Sequence, residues 1–218
     1  MKTKDELVIR ILENGEIMVE DTENGVKSVK KVSPETFLDC IRNSVKTNVV
    51  ASGMLPEGTF SFAVNGRGER RICVEFLSER CDVVYEKTEY KDFPLPRLVF
   101  GFNLSGEHIT SVDVGVVTAG MLTPKMDLFV YPFSNVSEFR MCLGMNRLPD
   151  IKSFHQLKGI MHFIMSMPNN NDRYSPNRTR LGLEYRTLLE TLKNKTSEYY
   201  YTDVLIPSGK TLADFIKG

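Results

Sequence analysis

Tyr131-Pro-Phe-Ser-Asn-Val-Ser-Glu-Phe-Arg-Met-Cys-Leu-Gly144 is the stretch around which the rest of the chain reads most coherently. It follows an extended apolar segment, sets Asn135 seven residues before Cys142, and precedes a long helical pattern. A thiol beside a backbone-fixed amide suits acyl transfer. The sulfur holds an acyl group as a thioester, and the amide donates a hydrogen bond to the oxyanion formed on attack. The same residues also fit a strand-end Cys packed in the core with its Asn in a turn, because free Cys is among the most buried residue types.

Before this motif the chain alternates in the manner of strands. Leu7–Leu12, Ile17–Glu20 and Val26–Val32, separated by turns at Asn14-Gly15 and Glu23-Asn-Gly25, read as a small β-meander. Ser33-Pro34-Glu35 opens a helix that ends near Thr47, with Phe37, Leu38, Ile41 and Val45 at helical spacing. Cys40 belongs to that helix and is expected to be packed. Further strands are predicted over Val49–Met54, Phe60–Val64, Arg71–Leu77, Cys81–Glu86, Arg97–Leu104, Ile109–Thr118 and Pro124–Tyr131, with a polar link after Glu86. Cys73 and Cys81 lie within strand patterns. The short connections favour an antiparallel meander.

After the motif, Ser153–Met167 and Leu181–Leu192 show helical periodicity, the first with a Met-rich stripe. Ser197–Tyr201 and Val204–Ile206 predict an extended piece, Pro207-Ser-Gly209 a turn, and Thr211–Ile216 a last helical turn. The whole reads as α+β, with residues 1–32 a β-meander extension and 33–218 one domain.

Composition narrows the function classes. The 28 basic and 28 acidic residues balance, so no global charge draws the chain to nucleic acid or anionic lipid. No apolar run is long enough to span a bilayer. Met1-Lys-Thr-Lys-Asp-Glu lacks the apolar core of a signal peptide, which predicts a cytoplasmic protein in which Asn177-Arg-Thr179 is no glycosylation site. Cys40, Cys73, Cys81 and Cys142 form no C-x-x-C pair, and His108, His155 and His162 complete no ligand pattern around them. Four reduced thiols and no structural zinc are expected. Arg67, Arg70, Arg71 and Arg80 read as a solvated basic face. His155 and His162 share nearly one helix face, where a Cys–His hydrolase could use either, although no third group to orient the imidazole is evident.

With helix, antiparallel strands, Asn-plus-Cys motif and helix in that order, the chain resembles the ubiquitin-conjugating enzyme superfamily. Within it, the similarity is to the bacterial set called prokaryotic family D, which includes the PRTRC system protein B-like chains. The similarity rests on Pro96-Arg-Leu-Val-Phe100, Leu128-Phe-Val-Tyr-Pro-Phe-Ser-Asn-Val136 and Cys142-Leu-Gly144, with Leu148-Pro149 and Met167-Pro-Asn-Asn169 in support. It covers roughly residues 93 to 195. The family's His-Pro-Asn maps onto Phe133, Ser134 and Asn135, so only the Asn is kept. Its nucleophile maps onto Cys142, with Phe139 where conjugating enzymes usually have Gly.

The resemblance implies a ubiquitin-conjugating-enzyme-like fold and a thioester transferase without a cofactor of its own. Cys142 would accept a ubiquitin-like protein from a ThiF-like activating enzyme, which spends the ATP, and pass it to an amine acceptor. Asn135 would stabilise the oxyanion or order the loop, and Asp172, following Pro168-Asn169, would orient the incoming amine. A JAB-type deconjugating protease would belong to the same system. Two other readings stay open: a non-catalytic member that binds a ubiquitin-like protein, and an assembly protein of a mobile element, each with a structural Cys142.

Overall fold

The computed structural model describes residues 6–23, 26–44 and 51–218, and the chain divides into two compact units, Met1–Ala51 and Ser52–Gly218. In the first, β1 (Glu6–Ile11), β2 (Ile17–Glu23) and β3 (Val26–Val32) form an antiparallel sheet in that order. Asn14 accepts the Glu16 N–H at 3.1 Å, and Gly15 takes φ +80°, a left-handed conformation open to glycine without a Cβ clash. α1 (Pro34–Ser44) starts where the Ser33 hydroxyl accepts the Thr36 N–H at 3.1 Å. The expected division came at residue 32, whereas α1 groups here with the first unit. Thr47 and Val45 lie outside the described residues. Cys40 is exposed rather than packed. Leu38 and Ile41 of the same apolar stripe are themselves exposed, so helical spacing did not translate into a buried shell around the thiol.

The second unit is built on one antiparallel sheet. β4 (Thr59–Val64), β5 (Arg70–Phe76), β8 (Leu98–Ser105) and β9 (His108–Val117) pair in that order, and a hairpin of β6 (Arg80–Tyr85) and β7 (Thr88–Pro94) interrupts the sequence between β5 and β8. The predicted polar link after Glu86 is therefore largely strand. Along the far edge of β9 run β10 (Asp127–Phe129), at its C-terminal end, and β12 (Arg140–Met141), which also pairs with β11 (Val136–Ser137). Residues 51–54 form no strand, and residues 49–50 of that expected element lie outside the described residues.

Register explains the two faces. Cys73 pairs with Gly101 and Gly101 with Asp113, so these project to one side of the sheet. Their neighbours Ile72, Val74, Phe100, Phe102, Val112 and Val114 project to the other, into the main core. That core is closed by α2 (Leu157–Ser166) and α3 (Tyr185–Leu192), whose buried residues are Leu157, Ile160, Met161, Ile164 and Met165 on one and Tyr185, Leu188, Leu189 and Leu192 on the other. Each such side chain contributes about 1.5–3 kcal/mol by leaving water. The opposite face holds a smaller core of Cys73, Val99, Val117 and Leu128 beneath α5 (Leu212–Lys217), which supplies Leu212 and Phe215. α5 starts with a capping box: the Thr211 N–H donates to Asp214 at 2.9 Å and the Asp214 N–H to the Thr211 hydroxyl at 3.4 Å.

Three expectations are corrected here. The helix predicted from Leu181 begins at Tyr185, because Gly182 sits at φ +61° and cannot continue a right-handed helix. The extended piece expected over Ser197–Tyr201 and Val204–Ile206 is helical as far as Val204: α4 (Ser197–Tyr199) runs into a π-helical turn at Tyr200–Val204, and the backbone is extended at Leu205. The buried Tyr200 hydroxyl donates to Pro94 O at 2.7 Å and the Tyr201 hydroxyl to Val117 O at 2.8 Å, anchors that outweigh the strand preference of consecutive tyrosines. Pro207–Thr211 is not a simple turn but β13, paired with β10. The result is an α+β protein with mostly antiparallel sheets, and among the described residues no helix is long and apolar enough to cross a membrane.

Candidate functional site

Asn135 and Cys142 stand at the two ends of the β11–β12 hairpin. Its two-residue turn, Glu138–Phe139, has Glu138 in the left-handed region at φ +51°. Phe139, where the resemblance would have Gly, packs edge to face on Phe215 with centroids 5.2 Å apart, and its carbonyl accepts the Val114 N–H at 2.8 Å. The hairpin is thereby fastened to the smaller core. A second fastening is ionic: Arg140 Nε donates to Asp113 at 2.6 Å, and the other oxygen of Asp113 accepts from Arg71 at 2.7 Å.

Arg71 had been expected on a solvated basic face, yet only 10% of its side chain is exposed. It lies across Gly101, where a Cβ would come within 2.8 Å of its guanidinium. From there it donates to Asn103, Ile216 O and Phe215 O as well as to Asp113. Arg70 and Arg80 are likewise engaged, the first over the Phe154 ring and the second with Asp92 at 2.8 Å.

At the open end of the hairpin a chain of main-chain bonds gathers the expected site residues. The Cys142 N–H donates to Asn135 O at 2.7 Å, and the Asn135 N–H donates to Asp172 O at 2.7 Å. Asn135 occupies the left-handed region at φ +63°, which Asn tolerates better than most residues. Its side-chain amide donates to Asn169 Oδ1 at 3.1 Å. Asp172 is itself held, its N–H donating to Asn170 Oδ1 at 2.8 Å and its carboxylate accepting from Asn170 Nδ2 at 3.0 Å. Asn135, Cys142 and Asp172 line one shallow cavity of about 110 Å³, together with Leu143, Asn146, Ile164 of α2 and Met167 just past its end. Cys142 is half-buried and Asp172 exposed.

Asn169 enters the sequence reading only as part of the Met167–Asn169 pattern and of the Pro168-Asn169 pair ahead of Asp172, but it organises the site. Its N–H donates to Val84 O at 2.7 Å and its carbonyl accepts the Glu86 N–H at 2.8 Å, so it docks on β6 while its side chain receives Asn135. The run Asn169-Asn-Asn171 was the available signal, since each amide both donates and accepts. Asn171 also accepts the Tyr85 hydroxyl at 2.9 Å.

Cys73 and Cys81 lie in β5 and β6, away from the cavity. Burial pushes Cys73 up to about 11, and burial with the nearby Asp82 charge pushes Cys81 up to about 12. Both stay protonated, and so weakly nucleophilic, at neutral pH. Neither His155 nor His162 lines the Cys142 cavity; the His162 ring lies 4.8 Å from that of Phe76. The hydrolase pairing is therefore not assembled. Among the described residues no group of three His, Cys, Asp or Glu side chains could hold a metal ion. Comparison of the chain with family models, with curated proteins and with solved structures finds no match in any of the three.

Proposed function

We propose that this chain is a ubiquitin-conjugating-enzyme-like carrier, with Cys142 accepting a ubiquitin-like protein as a thioester from a ThiF-like activating enzyme and passing it to an amine. The observation supporting this reading is the convergence of Cys142, Asn135 and Asp172 on one cavity, linked in series through the main chain. An antiparallel sheet ahead of the Cys and a packed helix behind it accord with a conjugating-enzyme-like fold.

In the first step the Cys142 thiolate attacks the carbonyl carbon of the incoming thioester. A carbon–sulfur bond forms, the carbonyl pair moves onto oxygen, and collapse expels the activating enzyme's thiolate, which takes up a proton. In the second step an acceptor amine attacks the Cys142 thioester. Nitrogen–carbon bonding replaces the sulfur–carbon bond, Cys142 leaves as thiolate, and the amine proton passes to solvent or to the Asp172 carboxylate. Asn135 has two amide hydrogens, one committed to Asn169, and the second is free to meet the oxyanion. A JAB-type deconjugating protease would reverse the product in the same system.

A second reading, a non-catalytic protein that binds a ubiquitin-like partner, is favoured by that same Asn135–Asn169 bond, which gives Asn135 a purely architectural role. The two readings part in one experiment. The chain is incubated with the ThiF-like enzyme and ubiquitin-like protein of its own genome and ATP, then examined by non-reducing gel and mass spectrometry. The carrier reading expects an ATP-dependent, thiol-sensitive adduct mapped to Cys142. Binding without any adduct overturns it in favour of the second.

A further inference from the structure

One cation grips both chain segments that form the candidate site. Arg178 ends a 3-10 turn at Pro176–Arg178, and its Nη1 donates to Val136 O at 2.6 Å and to Arg173 O. Val136 follows Asn135 and Arg173 follows Asp172. A single side chain thus holds each segment one residue beyond the pair already joined by the Asn135 N–H to Asp172 O bond.

Both segments need holding. Asn135 at φ +63° and Arg173 at φ +58° occupy a region that side-chain-bearing residues adopt only when their surroundings impose it. Arg178 is half-buried, and among the described residues it forms no ion pair with a carboxylate. Burial draws its basicity below the ordinary arginine range, but a guanidinium starts so high that it keeps its charge at neutral pH. A charged donor spent on main-chain carbonyls fixes backbone position rather than balancing charge, and such bonds are roughly twice as strong as neutral ones.

We infer that Arg178 is a positioning residue that sets the register of Asn135 against Asp172 around Cys142, touching no reacting atom itself. Its effect on rate rests on the carrier reading above; its effect on geometry does not.

The test uses the full chain with R178M and R178K. Hydrogen–deuterium exchange is followed at the Asn135 and Cys142 amides, whose acceptors are Asp172 O and Asn135 O, with amides of β5 and β8 as the internal reference. Single-turnover thioester formation and affinity for the ubiquitin-like protein are measured in parallel. R178M is expected to exchange at least about tenfold faster at the two site amides and not in the reference strands. Thioester formation is expected to fall about tenfold to a hundredfold, the scale of a small misplacement of reacting groups, with affinity unchanged. R178K, keeping the charge without the planar fork, is expected to fall between R178M and wild type. Unchanged exchange at both amides, or acceleration spread equally through β5 and β8, overturns the positioning role. Faster exchange at the site in a chain whose wild type forms no thioester upholds Arg178 and sinks the carrier reading.

Discussion

Replacing Asp113 with Asn is the substitution whose cost the structure defines best. Asp113 is 2% exposed and receives Arg71 Nη1 on one oxygen at 2.7 Å and Arg140 Nε on the other at 2.6 Å. Asn keeps the shape but has a single acceptor oxygen, so its amide hydrogens must face one of the two guanidiniums. Removing one partner of a buried ion pair destabilises by about 3–5 kcal/mol, chiefly because the other charge stays buried. Arg71 retains Asn103, Phe215 O and Ile216 O as neutral acceptors, which places the expected loss near the lower end, about 3 kcal/mol. For a protein of this size each kcal/mol lowers Tm by about 2–4 °C, giving a fall of about 6–12 °C. The assay is urea unfolding followed by near-UV circular dichroism. All eight tyrosines lie between residues 85 and 201, so this signal reports the larger unit. R140M serves as the contrast. Arg140 is 52% exposed, and a solvent-screened partner is worth at most about 1 kcal/mol. If D113N loses less than about 1 kcal/mol, or R140M loses as much as D113N, the buried network does not hold the sheet as argued.

Other outcomes follow from the same geometry. C142S, given the activating enzyme, the ubiquitin-like protein and ATP, is expected to accumulate an oxyester that survives thiol on a gel; absence of adduct from both wild type and mutant counts against the carrier role. N135A should slow transfer about a hundredfold to a thousandfold in single-turnover assays. N135G, which relieves the left-handed backbone but lacks the amide, should be as slow, and a fast N135G would show that only the loop shape matters. In iodoacetamide labelling at pH 8 read by peptide mapping, Cys40 and Cys142 should react well before Cys73 and Cys81, which burial holds at about 11 and about 12; a Cys81 as fast as Cys142 would refute the packing. Those two thiols also set an alkaline limit. Above their ordinary value of 9.0 the unfolded chain releases protons that the folded chain retains, so the urea midpoint should fall as pH rises from about 9 toward 12, and a flat profile would contradict it.

Most strands could be read directly from residue order. β5, β8 and β9 alternate or run apolar between turn residues, and that pattern depends on neighbours two positions apart rather than on distant parts of the chain. The start of α1 was equally plain, because the Ser33 cap bonds its own third neighbour. The Asn135–Cys142 pair was legible too, being confined to one hairpin. What the residue order left open is non-local. Asp172 meets Asn135 only because Asn169 docks on β6, and Arg178 completes that junction from a separate turn. Arg71 looks like any surface arginine until Gly101, the direct cross-strand partner of a buried Asp113, gives it room to lie flat against the sheet. Tyr199-Tyr-Tyr201 prefers a strand locally but folds as helix, since burying Tyr200 and bonding its hydroxyl to Pro94 O is worth more than intrinsic preferences whose whole scale spans about 1 kcal/mol. Local pattern fixed where the elements lie; burial and hydrogen-bond satisfaction between elements far apart in the chain settled which side chains meet.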